Sequence, residues 1–289
     1  MKQSETTTRV IVALIAIPIG AALVVVGGWA LAVLLGGIAV AAALEFYRLA
    51  QQKGIEPFRF LGGVVAALFI ALAAVAPESG PEAAGFSTLL VCAIIGSGIV
   101  AIWTRGVAGQ PILAFSTTLA GAAYTGALLS FALFLRHIPG NTGAWHGTAL
   151  LFAPVLLTWA SDTAAYFVGR RFGKRKLIPS VSPGKTVEGA IGALVGAFLV
   201  GVAYTFVLQL FPTYRLSLWQ GALLGVLVSV AAQVGDLAES LFKRDAGVKD
   251  SGTLLPGHGG ALDRFDSLLF TLPLGYYFLR LASGALQSF

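Results

Sequence analysis

Residues 235–266 read GDLAESLFKRDAGVKDSGTLLPGHGGALDRFD, and eleven of them are Asp, Glu, Lys, Arg or His. The stretch lies between two strongly apolar runs. Charge beside a bilayer is costly and is retained where it pairs, binds an ion or does chemistry. Carboxylates hold hard cations, Lys and Arg hold phosphate, and a glycine-rich turn brings backbone N–H groups up to an anion. The composition therefore describes a metal-assisted phosphate site at a membrane surface.

If the helix entering this stretch continues past Gly235, then Asp236, Glu239, Ser240 and Lys243 fall at i, i+3, i+4 and i+7 and share one face. Asp263 and Asp266 are one turn apart at the start of the next apolar run. Mg²⁺ takes oxygen ligands and is usually held by one or two carboxylates plus substrate phosphates. Asp236 and Asp263 are the first candidates for such an ion, with Asp266 next. The turn from Pro256 to Gly260 precedes a helix start, where free N–H groups and the helix dipole favour anions. It is read as a phosphate cradle through Gly259 and Gly260. His258 either donates to phosphate or orders the turn.

A second block, residues 161–189, reads SDTAAYFVGRRFGKRKLIPSVSPGKTVEG. Asp162 interrupts an apolar span, which points to function, and Tyr166 lies one turn on, within bonding reach of it. Lys185 is expected on phosphate, and Asp162 on a second cation or the nucleotide. The cations Arg170, Arg171, Lys174, Arg175 and Lys176 read as a belt facing lipid headgroups. Gly184-Lys185-Thr186 is not a Walker motif. Pro179 stands where that motif needs its first glycine, and a helix rather than a strand is expected before the block.

The first stretch resembles the C-terminal pattern of phosphatidate cytidylyltransferases (CDP-diacylglycerol synthases). The matching positions are Ser240, Lys243, Arg244, Lys249, Asp250, Pro256, His258, Gly259, Gly260, Asp263, Arg264 and Asp266. The second block is similar to the same family through Asp162, Ala165, Tyr166 and Gly169, then Ser182, Pro183, Lys185, Thr186, Glu188 and Gly189. The resemblance implies transfer of a cytidylyl group from CTP to phosphatidate, with Mg²⁺ and room for a second cation. It implies Lys243, Arg264, Asp266, Ser240 and His258 as catalytic residues. It adds Ser182, Arg244 and Lys249 to Lys185, Gly259 and Gly260 as phosphate contacts, and supports Asp236 and Asp263 as metal ligands. The partners implied are CTP, phosphatidate and membrane lipids, and a homodimer is compatible with it.

The elements that must position these residues are apolar helices. The chain has 289 residues, 57% hydrophobic and 11% charged, whereas a soluble domain has about a quarter of its residues charged. The fold class expected is all-α, a polytopic membrane protein forming a single domain, 1–289. Nine spans are expected, at about 10–26, 29–45, 61–76, 86–103, 112–135, 149–168, 187–211, 218–235 and 265–284. Residues 1–135 read as packing helices and 136–289 as the catalytic part.

With the N-terminus in the cytoplasm, 16 of the 19 Lys and Arg fall on the cytoplasmic side, against Arg136, Arg215 and Arg280 outside. The positive-inside rule favours that orientation, which turns both blocks toward cytoplasmic nucleotides. An N-terminal hairpin across Gly27 and Gly28 is preferred to a cleaved leader. The lone Cys92 in an apolar run is read as a small buried hydrophobe. The net charge of +6 suits anionic partners, and no nucleic-acid module is present. Two other functions share parts of the pattern. A CTP-dependent lipid kinase uses similar substrates, but the long C-terminal match argues against it. An anion transporter is the alternative from another class, but transporters often show repeated halves and these halves differ.

Overall fold

The computed structural model describes Leu14, residues 18–252 and residues 259–282. It is a multi-pass, mainly α-helical protein. Residues 18–26 are helical, and positive φ at Gly27 (67°) and Gly28 (53°) separates them from helix α1, Gly28–Gln52. Then come α2 (Arg59–Val75), a single turn at Gly80–Ala83, α3 (Phe86–Thr104) and α4 (Pro111–Arg136). Next are α5 (Ala144–Phe172), a two-stranded antiparallel ribbon of β1 (Lys176–Ile178) and β2 (Ser182–Thr186), α6 (Val187–Leu208), α7 (Leu218–Asp245) and α8 (Leu262–Ala282).

Six of these, α1, α3, α4, α5, α6 and α7, are long and apolar enough to cross a bilayer, and α2 is a shorter apolar helix. Seven residues of the first expected span, 10–13 and 15–17, lie outside the described residues. Several helices outrun their expected intervals. α1 continues seven residues past Glu45, and α7 ten residues past Gly235. Hydropathy marks only the hydrocarbon layer, whereas backbone hydrogen bonding carries a helix on into the interface. The all-α class holds, and the short ribbon is an element that the sequence reading does not anticipate. Its strands of three and five residues are too short to show a period in sequence. Cys92 is exposed rather than buried. It lies on α3, where Ile94, Ile95, Ile99, Ile102 and Trp103 are also exposed, as a lipid-facing helix requires.

The chain divides into two compact units, Met1–Phe134 with Phe242–Phe265, and Leu135–Leu241 with Asp266–Phe289. In the first unit Tyr47 is the buried centre. Its hydroxyl donates to the Thr118 carbonyl at 2.8 Å. Gly62 and Gly121 leave room for its ring, since a Cβ at either would strike it. Phe242 meets Phe46 and Tyr124 edge-on, at 5.7 and 6.0 Å. Tyr124 comes from a π-helical segment of α4, Ala123–Ala127.

The second unit is held by small residues and sparse polar bonds. Gly192 and Gly196 let α6 approach Val168 and Ala164 of α5, and Gly201 lies against Gly221 and Gly225 of α7. Membrane helices lack a hydrophobic drive toward one another, so close contact at small residues and interhelical hydrogen bonds take over. Thr158 donates to Thr271 at 3.1 Å, and Ser161 and Ser229 share a bond at 2.8 Å.

Candidate active site

The polar chemistry expected as one site is distributed over both units. In the second unit, α5 carries Asp162, Tyr166 and Arg170 at i, i+4 and i+8, so they share a face. The ribbon then turns the chain back. Lys176 pairs with Thr186 and Ile178 with Ser182. Glu188, in the first turn of α6, anchors the ribbon by accepting from the Lys174 and Arg175 backbone N–H groups (3.0 and 3.2 Å) and from Arg175 Nε (3.3 Å). Thr186 caps α6 by accepting from Gly189 N at 3.1 Å, which fixes the helix start.

This arrangement carries Lys185 to the side of α7, where its Nζ is 2.8 Å from Asp236 Oδ2. Asp236 Oδ1 also accepts from Ser240 Oγ at 3.3 Å. A cavity of about 530 Å³ opens here, lined by Asp162, Tyr166, Arg170, Lys185, Thr186, Gln233 and Asp236. Tyr166 accepts from Arg170 at 2.9 Å rather than bonding to Asp162. Gln233 was not singled out from sequence. Its Nε2 donates to Ser229 Oγ at 3.3 Å, so its amide is steered from within the bundle. Ser182 is half-buried in β2, and Asp266 Oδ1 accepts from Ser267 N at 2.6 Å.

The ribbon removes one ground for rejecting a Walker motif, because Gly184-Lys185-Thr186 lies in a strand that leads into a helix. The other ground stands, since the backbone at Pro179 lacks both the glycine and the N–H.

In the first unit the end of α7 meets the start of α8. Lys243 Nζ lies 2.7 Å from Asp263 Oδ1, with the two side chains only 13% and 7% exposed. Asp263 Oδ2 accepts from Gly260 N (2.8 Å), Ser251 N (3.0 Å) and Ser251 Oγ (3.0 Å). Gly259 has φ 81°, a conformation that glycine adopts without a Cβ penalty. A Cβ there would also press on the Asp263 carboxylate. Arg244, Lys249, Asp250 and Arg264 are exposed, and Arg244 Nη1 bonds the Val248 carbonyl at 3.3 Å. His258 and Pro256 lie outside the described residues. Glu45, passed over in the sequence, is buried in this unit among the same motif residues.

Among the described residues, no three His, Cys, Asp or Glu side chains form a group arranged to hold a metal. Asp162 and Asp236 do line one cavity with Lys185. Two carboxylates suit a hard cation that completes its shell with water and phosphate. The donor set of the second unit therefore fits Mg²⁺. Asp263 is more fully engaged, by a lysine and two backbone donors.

A family model described as "Cytidylyltransferase family" matches residues 7–282. The chain is 35% identical to the phosphatidate cytidylyltransferase of Synechocystis sp. over 311 aligned positions, covering 98% of this chain and 99% of that protein. It is 43% identical to the Bacillus subtilis phosphatidate cytidylyltransferase over 162 residues, 56% of this chain and 57% of that protein. It is 42% identical to the Haemophilus influenzae phosphatidate cytidylyltransferase over 176 residues, 61% of this chain and 59% of that protein.

Proposed function

We propose that this chain, which belongs to the cytidylyltransferase family, is a membrane nucleotidyltransferase that converts CTP and phosphatidate to CDP-diacylglycerol and pyrophosphate in phospholipid synthesis. The observation that carries the reading is the second unit's cavity, where Lys185 meets Asp236 and Asp162 shares the lining, in a chain that aligns end to end with a phosphatidate cytidylyltransferase.

The phosphatidate phosphate oxygen is already anionic, so no strong general base is needed. It attacks the α-phosphorus of CTP. The new bond joins lipid phosphate to cytidylyl phosphate, and the bond from the α-phosphorus to the bridging oxygen breaks, releasing pyrophosphate. The main obstacle is bringing several negative groups together. In the second unit Lys185 offsets that charge and helps align the displacement. In the first unit Arg244, Lys249 and Arg264 are exposed cations suited to phosphate, with Gly259 in the turn beside them, whereas Lys243 Nζ and Gly260 N are bonded to Asp263 and act through it. Ser182, Ser240 and Asp266 orient these groups, and His258 donates to phosphate or orders its turn.

Asp236 and Asp162 are the residues that would hold Mg²⁺ in the second unit, and Asp263 is the candidate in the first. When bound, the cation neutralises phosphate charge and orients the leaving pyrophosphate. The cation asymmetry supports a cytoplasmic membrane location with the motifs facing the cytoplasm. The engaged partners are then CTP, phosphatidate and membrane lipid, with a homodimer as the assembly to test.

The experiment uses detergent-solubilised protein, phosphatidate, Mg²⁺ and CTP labelled at the α-phosphorus or, separately, at the γ-phosphorus. The α label is expected in lipid and the γ label in pyrophosphate. Label in lipid only from the γ position would identify a kinase. No label in lipid from either would leave the transporter reading.

A further inference from the structure

We infer that Glu45 is a positioning residue for the motif residues of the first unit. It acts through Ser251 and the N-terminus of α8 on Asp263. The inference rests on the reading above only for what the positioned groups do, not for the positioning itself.

Glu45 lies near the end of α1 and is 2% exposed. A carboxylate accepts at two oxygens, and each is met by a donor from far along the chain. Ala261 N donates to Oε1 at 3.0 Å, and Leu262 N donates to Oε2 at 2.8 Å. Ser251 Oγ lies 3.0 Å from Oε2 and also 3.0 Å from Asp263 Oδ2. That hydroxyl has one proton to share between two carboxylates, so the placement of one acid bears on the other.

A helix start is normally capped by a Ser, Thr, Asp or Asn beside it. Ala261 has no such group, and the cap for Ala261 N arrives from a residue 216 positions away. The negative charge sits where the first N–H groups of α8 favour it. Gly252 and Gly260 complete the fit, because a Cβ at either would run into the Glu45 carboxylate. Glu45 thus holds the motif segment on both sides, at Ser251–Gly252 and at Gly260–Leu262. A cap needed only for stability could be local. This one is built onto the residues that hold Asp263 in place.

Two readouts test the inference. The first is the alkylation rate of Ala261→Cys, a buried position, in a Cys92→Ala background. Glu45→Gln keeps the shape of the side chain but turns an NH₂ group toward one of the backbone N–H donors. It is expected to raise that rate at least about ten-fold below the melting temperature, because opening of the segment becomes easier. The second is turnover. Glu45→Gln and Ser251→Ala are each expected to lower kcat at least about ten-fold with KM for CTP changed less. Their combination should lose little more than the worse single variant, since both act through one network.

An unchanged alkylation rate would overturn the inference. So would a faster rate with unchanged kcat, which would make Glu45 a structural cap only, or losses that multiply in the double variant. If Glu45→Gln does not fold, Ser251→Ala is read alone by both measures against the same thresholds. If the parent protein makes no CDP-diacylglycerol, alkylation still decides whether Glu45 holds the segment, and the failure belongs to the assigned reaction.

Discussion

The two units handle charge in opposite ways. In the first, Glu45 is buried, the Lys243 and Asp263 side chains are nearly so, and their polar atoms are met by partners within hydrogen-bond distance. In the second, Asp162, Lys185 and Asp236 line an open cavity, and Asp236 is 37% exposed at its side chain. Buried ionic groups persist only when fully paired, because desolvation otherwise exceeds the attraction. Groups that face a cavity keep capacity for a ligand. The contrast suggests a division of labour, with one cluster fixing a shape and the other keeping room for phosphate and a cation.

The sharpest way to break that contrast is at the cavity. Asp236→Asn and Lys185→Met are each expected to lower CDP-diacylglycerol formation about 10²–10³-fold, the usual cost of removing one preorganised electrostatic contact. The melting temperature of the purified protein in detergent should move little, since both side chains are partly open to solvent. Activity near that of the parent in both variants would remove the cavity from the chemistry.

A smaller and different effect is expected at the buried pair. Lys243→Met leaves Asp263 without its cation in a nearly closed site, a change that costs roughly 3–5 kcal/mol and should appear as a lower melting temperature. The exposed pair Lys53–Asp245, 3.2 Å apart with side chains 46% and 65% exposed, is the comparison within the same unit. Lys53→Ala should cost under about 1 kcal/mol. Equal melting shifts at Lys243 and Lys53 would mean that burial in the first unit carries no energetic weight.

Much of this was legible in the residues. Apolar runs marked the helices, because the hydrocarbon layer demands them. The run from Asp236 to Lys243 lay on one helix, as the spacing requires if the helix passes Gly235. Both charged blocks stood out against an apolar chain. What sequence could not supply was partnership. Asp236 meets Lys185, and Asp263 meets Lys243, pairings that no spacing in the sequence marks.

Glu45 escaped notice because a single acid at the end of an apolar run is averaged away by hydropathy, although a carboxylate there is itself a signal. Its partners are more than two hundred residues distant, beyond any local pattern. The ribbon was hidden by its length and by Pro179 and Pro183, which argue against strands.

The most direct test of the account asks whether nucleotide enters the second unit's cavity. Gly184 lines it, with open space where a side chain would stand. Gly184→Cys in a Cys92→Ala background gives one thiol at that wall. CTP with Mg²⁺ is expected to slow alkylation of this thiol at least about five-fold, with half-protection at a concentration near the KM for CTP. An alkylation rate unchanged by saturating CTP, in a preparation that is making CDP-diacylglycerol, would contradict the account.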